Sequence, residues 1–113
     1  MVRPPANPVE LLAVEGMADT MFNHMVLFRF GDDDTADAVV RRVRELAATI
    51  DEVADLVIGR DELGSPRSFD VGMLMRFSHA GAFARYNAHP DHVDAAAWID
   101  GVAAEAVAVD WTD

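Results

Sequence analysis

Nine residues from Phe22 to Phe30 alternate strictly, with Phe22, His24, Val26, Phe28 and Phe30 on one side and Asn23, Met25, Leu27 and Arg29 on the other. That is the period of an extended strand, and at the centre of the run both sides are apolar. Such a strand needs cover on both faces. A second run, Ser68 to Phe77, has the same character, with Phe69, Val71, Met73, Met75 and Phe77 sharing one face. At 113 residues the chain is one domain with one core, and roughly 60 to 70% of its unfolded surface is hidden on folding at this size. A pair of such strands is more than one thin layer of helices can cover.

The intervening segments set the order of elements. Asp32, Asp33, Asp34 and Thr35 are acidic and capping residues suited to the positive end of a helix. Val39, Val40, Val43, Leu46, Ala47 and Ile50 then recur at helical spacing, with Arg41, Arg42, Arg44 and Glu45 opposite them, which predicts a helix over 35–50. Val53 to Arg60 reads as a short β-branched strand, followed by a turn at Gly64, Ser65 and Pro66. Ser78 is expected to cap a helix over 79–88 carrying Ala82, Phe83 and Tyr86, which Pro90 must end. A short helical segment over 91–101 stops near Gly101, and Glu105 to Trp111 alternates as a last strand. Residues 1–21, with Pro4, Pro5 and Pro8 and no sustained periodicity, are expected to be a flexible N-terminal extension ahead of a domain at 22–113.

The order β-α-β-β-α-β predicts an α+β, ferredoxin-like fold with both helices on one face of an antiparallel sheet. The other face would expose an apolar patch larger than the few hundred Å² that soluble monomers carry. A second copy laid sheet against sheet covers it, so a homodimer is expected, and Asp at Phe28 or Met73 should dissociate or unfold it.

Composition narrows the chemistry. Nine basic residues, all Arg, stand against twenty acidic ones, a net charge of −11, which excludes the basic patch that nucleic acid requires. Without Lys there is no Schiff-base amine, and without Cys there is no thiol nucleophile, disulfide or thiolate metal site. The lack of Cys fits a cytoplasmic protein. No stretch approaches the roughly 20 apolar residues of a membrane helix, and a start with Arg3, three early prolines, Glu10 and Glu15 is not that of a signal peptide. No membrane partner is expected.

Proton transfer near neutrality needs a group with a pKa in that range, which histidine supplies without perturbation. His24 shares a strand face with Val26, Phe28 and Phe30, which fits a hydrogen-bonded core imidazole as well as a functional one. His89, directly before Pro90, reads as a loop anchor, and His79 as a solvent-exposed side chain. Pro90 keeps His89 and His92 off one helical face, so that one points inward while the other structures the loop. His89 and His92, three apart with Asp91 and Asp94 nearby, form only a weak metal pattern that needs a third imidazole such as His24, and no metal or cofactor is expected.

Asn23-His24-Met25-Val26-Leu27-Phe28-Arg29-Phe30, Phe69-Asp70, Tyr86-Asn87-Ala88-His89-Pro90-Asp91-His92 and the terminal Val109-Asp110-Trp111 together resemble the stress-responsive A/B barrel domain family over residues 22–111. The Tyr-x-x-His-Pro-x-His element is the most specific part. The resemblance implies a dimeric α/β barrel, with a small apolar cavity in each subunit. Plant members include a cofactor-free polyketide cyclase that performs an intramolecular aldol condensation. In that cyclase a His of the element is the general base, with the Tyr and a strand 1 His near the substrate. The matching positions here are His92, Tyr86 and His24. Val26, Phe28, Val71, Met73, Phe83 and Trp98 are the candidate pocket-lining residues for a small apolar or aromatic molecule. Two other readings stand beside the cyclase-like enzyme. One is a non-catalytic ligand-binding or stress-associated protein. The other is an enzyme of the antibiotic-biosynthesis monooxygenase type, against which the Tyr-x-x-His-Pro-x-His element argues.

Overall fold

The computed structural model describes residues 20–113. Within them lie four strands, β1 (Phe22–Phe30), β2 (Asp55–Arg60), β3 (Val71–Phe77) and β4 (Ala103–Thr112), and three helices, α1 (Asp33–Thr49), α2 (Ala80–Ala88) and α3 (Pro90–Val102), in the order β1-α1-β2-β3-α2-α3-β4. The strands form one sheet in the order β2-β3-β1-β4. β1 pairs antiparallel with β3 and β4, and β3 pairs antiparallel with β2. β1 and β2 are thus parallel to each other with β3 between them, the split βαβ arrangement of the ferredoxin-like α+β fold. The expected extension, residues 1–21, lies outside the described residues except for Thr20 and Met21. Met21 is already tied into the sheet: its amide donates to Asp113 Oδ1 at 2.7 Å and its carbonyl accepts from the Asp113 amide at 3.1 Å.

The helix-facing side of the sheet follows from the alternation. Val26 and Phe28 of β1 and Val71, Met73, Met75 and Phe77 of β3 are buried in one cluster with Val39, Val40, Val43, Leu46 and Ile50 from α1 or its C-cap. α1 starts two residues earlier than the apolar spacing indicated, because Asp32 serves as its N-cap, its carboxylate accepting from the Thr35 amide at 2.7 Å. Arg60, at the end of β2, holds that same helix start by ion pairs to Asp33 and Asp37 at 2.7 and 2.6 Å. α2 is capped by the His79 imidazole, whose Nδ1 accepts from the Ala82 amide at 3.2 Å, and not by Ser78. The exposed His79 is thus a structural residue.

Among the described residues, no helix lies on the opposite side of the sheet. Met25 and Leu27 of β1, Leu74 of β3, Val57 of β2, and Val107, Val109 and Trp111 of β4 share it by register, and Val57, Val107 and Val109 are 62, 43 and 53% exposed. Phe28 and Met73 belong to the helix-covered side, 7 and 6% exposed. Asp at either position would therefore disrupt the core and would not report on this open face.

No described helix is long and apolar enough to cross a membrane. Phe77, fully buried where β3 meets the rings of Phe83 and Tyr86 at 5.2 and 5.1 Å between centroids, carries much of the packing at one end of the core. Phe77→Ala is expected to lower unfolding stability by about 3 to 5 kcal/mol, measured by urea denaturation with an unchanged m-value.

Candidate active site

Pro90 disfavours helical backbone at the residue before it, and His89 is accordingly extended (φ −64°, ψ 132°). One residue thereby ends α2 and begins α3: the His89 amide donates to the Tyr86 carbonyl at 3.1 Å, and its Nδ1 accepts from the Asp91 amide at 3.1 Å. Pro90 takes the first helical position, where no amide proton is needed. The chain turns sharply, and the first turn of α3 lies back against the last turn of α2.

That turn positions His92. Its Nδ1 lies 3.0 Å from the carbonyl oxygen of Asn87, one of the last carbonyls of α2, which have no partner within the helix. A carbonyl only accepts, so Nδ1 carries the proton and the neutral ring keeps its lone pair on Nε2. The ring packs 4.4 Å from that of Tyr86, centroid to centroid. Burial foremost, with the nearby His24 and His89 imidazoles, holds the His92 pKa below its usual value, against the raising effect of the Asn87 hydrogen bond. Burial also pushes the Tyr86 phenol up to about 12, so this side chain remains a hydrogen-bond donor at neutral pH.

His24 reaches the same place from the sheet. It pairs across β1 and β4 with Asp110, and its Nδ1 lies 2.5 Å from Asp110 Oδ1. The other ring nitrogen is thus the one left for a ligand, as in carboxylate-oriented imidazoles generally. His24 and His92, with Tyr86, line one pocket of about 190 Å³ between the sheet and α3. Its walls are Val26, Phe28, Met73 and Ala106 from the sheet, Val43 and Leu46 from α1, and Ala95, Ala96, Ile99 and Asp100 from α3.

Three of the expected lining residues lie elsewhere. Val71 sits at the far end of β3, opposite Phe28 and Arg60 in the ladders, and is fully buried in the core. Phe83 turns into an aromatic cluster, 4.9 Å from Phe22 and 5.2 Å from Phe77 between centroids, so that it backs the His24 ring at 4.8 Å without facing the pocket. Trp98 is on the outer side of α3, 40% exposed and beside Arg41, Arg42 and Glu45 of α1. Asp110 and Asp100 were not anticipated as site residues. Asp110 was readable only as part of a terminal strand, whereas Asp100 lies at the exposed rim of the pocket, eight residues after His92 on α3, a spacing that could have revealed it. Among the described residues, no three His, Asp or Glu side chains are grouped so as to hold a metal ion.

Because the folded protein holds His92 below the unfolded imidazole pKa of about 6.5, the unfolded chain takes up more protons as pH falls through that range. The contribution is complete above pH 6.5 and is lost as pH falls through the lower folded-state value. NMR titration is expected to place the His92 midpoint below 6.5, and His92→Gln to flatten part of the loss of stability as pH falls below 6.5.

Comparison with known proteins places the fold. The model of the stress responsive A/B barrel domain matches residues 22–113. A stress-response A/B barrel domain-containing protein of Arabidopsis thaliana is 26% identical over 98 residues, covering 84% of this chain and 88% of that protein. Among solved structures, a dimeric ferredoxin-like protein of unknown function from Thermobifida fusca is 28% identical with a TM-score of 0.73, over 83% of this chain and 92% of that one. The hydroxynitrile lyase of Passiflora edulis shares the fold at 16% identity and a TM-score of 0.74, over 82% and 93% of the two chains. A cofactor-independent oxygenase from Streptomyces nogalater does so at 14% and 0.67, over 84% and 93%. With its match running from the first strand to the last residue, the chain belongs to the stress responsive A/B barrel domain family.

Proposed function

We propose that the protein is a cofactor-free acid–base catalyst that removes a proton next to the carbonyl of a small aromatic or polyketide-like molecule. The observation that carries this reading is His92, with Nδ1 committed to the Asn87 carbonyl and its ring against Tyr86 in an apolar pocket. Nε2 takes the proton, the C–H electron pair becomes the new C=C bond while the carbonyl π pair moves onto oxygen, and the Tyr86 hydroxyl donates a hydrogen bond to the enolate that forms. In an intramolecular aldol condensation the enolate carbon then attacks a second carbonyl carbon, whose oxygen receives the proton from His92, and loss of water completes the product. His24, oriented by Asp110, offers a second proton-transfer group to the same cavity. A cavity of about 150 Å³ accommodates benzene, so about 190 Å³ suits one substituted ring. The lyase and the oxygenase of this fold support the reading at the level of the scaffold alone.

We further infer that the protein acts as a homodimer joined through the open face of the sheet, a dimeric α/β barrel. The apolar exposure of Val57, Val107 and Val109 supports it, as does the dimeric state of the related Thermobifida fusca protein.

Two measurements test these readings. Aryl methyl ketones incubated with the protein in D₂O are expected to exchange their methyl protons, with His92→Ala slowing exchange about 10³-fold and Tyr86→Phe by a smaller factor, about 10². Unchanged exchange in His92→Ala overturns the base assignment, and ligands that bind without exchanging leave a non-catalytic binding protein. Light scattering is expected to give twice the chain mass, and Leu74→Asp, on the open face, a folded monomer; a monomeric wild type at micromolar concentration overturns the dimer.

A further inference from the structure

His92, Ala95, Ala96, Ile99 and Asp100 all line the pocket. Their spacing i, i+3, i+4, i+7, i+8 is the inward stripe of α3, which a helix packed on a core fills with apolar residues. Asp100 interrupts that stripe with a carboxylate. Among the described residues it makes no side-chain hydrogen bond or ion pair, and the arginines that do form ion pairs, Arg29, Arg60, Arg76 and Arg85, meet Glu105, Asp33 and Asp37, Asp113 and Glu52 instead. The other ionisable side chains on the lining are His24, Tyr86 and His92, and no Arg joins them. The second carboxylate nearby, Asp110, is engaged with His24. Asp100 and Ala106 are exposed while the rest of the lining is buried or half-buried, which puts Asp100 at the mouth.

We propose that Asp100 selects ligands by charge, admitting neutral and amine-bearing molecules to the pocket and turning away carboxylates. The proposal rests on the pocket being a ligand site, as in the reading above, but not on catalysis. Eight residues of helix rise separate His92 from Asp100, about 12 Å along the axis, the span of one ring with a substituent at each end. A carbonyl at the His92 and Tyr86 end therefore leaves the far substituent beside the carboxylate. At the rim of an apolar cavity an uncompensated charge acts through a partly solvated medium, so the expected discrimination is several-fold and sensitive to salt.

Three probes of one shape test it: acetophenone, 4-(aminomethyl)acetophenone and 4-acetylbenzoate, with binding measured by ligand-observed NMR so that no turnover is required. Wild type is expected to bind the amine about fivefold more tightly than acetophenone, and the carboxylate about fivefold less tightly. Asp100→Asn should bring the amine-to-carboxylate ratio close to one, Asp100→Lys should invert it, and Asp100→Glu should retain it. Because the side chain is exposed, all three variants should melt as wild type does. An amine-to-carboxylate ratio in Asp100→Asn equal to that of wild type overturns the proposal while leaving the pocket intact. Failure of all three probes to bind overturns it together with the ligand-site reading, whereas absence of proton exchange with the charge order preserved overturns the base assignment alone.

Discussion

The packing of α1 on β1 and β3 is the contact around which the domain is organised. Val39, Val40, Val43 and Leu46 join Val26, Phe28, Met73 and Met75 in one buried cluster, and at about 25 cal/mol per Å² the removal of those side chains from water is the main favourable term a chain of this length can raise. The remaining features follow from having one face of the sheet satisfied this way. β4, at the edge of the sheet, gains little cover from the helices and stays largely exposed. The helix layer also does not close completely over β1, and the gap it leaves beneath α3 is the pocket.

The chemistry of that gap depends on a single backbone event. Had α2 and α3 been one continuous helix, His92 would lie six residues beyond Tyr86 and about 9 Å along the axis, on a different face. The Pro90 constraint on His89 folds the second segment back, so that the two rings touch and the Asn87 carbonyl fixes the tautomer of His92. The two groups then diverge usefully. Burial keeps the imidazole neutral and able to accept a proton, while the same burial keeps the phenol protonated and able to donate. One desolvating environment produces an acceptor and a donor side by side because it penalises the charged form of each.

Much of this was legible in the chain. The limits of β1 match its alternation exactly as far as Phe22 and Phe30, because a strand paired on both sides, with its neighbours' ladders running along it, leaves little freedom at its ends. Other boundaries were less accurate: β3 begins at Val71 and not at Ser68, α1 begins at Asp33 because the Asp32 carboxylate reaches the Thr35 amide, and α2 is capped by His79, a residue type seldom found in that role. The candidate site was readable in part. His24, His92 and Tyr86, with Val26, Phe28 and Met73, line one pocket, whereas Val71, Phe83 and Trp98 are apolar residues with other neighbours.

Alternation, helical periodicity and the conformational limits of Pro90 are local properties, set by sterics and side-chain chemistry within a few residues, and the sequence by itself determined them: four strands, three helical segments and a sharp break at His89. Which side of the sheet the helices cover, which α3 residues turn inward, and which carboxylate meets which imidazole depend on register and packing between segments far apart in the chain. His24 and Asp110 are 86 residues apart and meet only because β1 and β4 pair in that register. Asp100 reaches the pocket mouth only because α3 lies across the sheet at that rotation. These choices the tertiary structure decided, since the energy that fixes them, the burial of one shared core, exists only when all the segments are assembled.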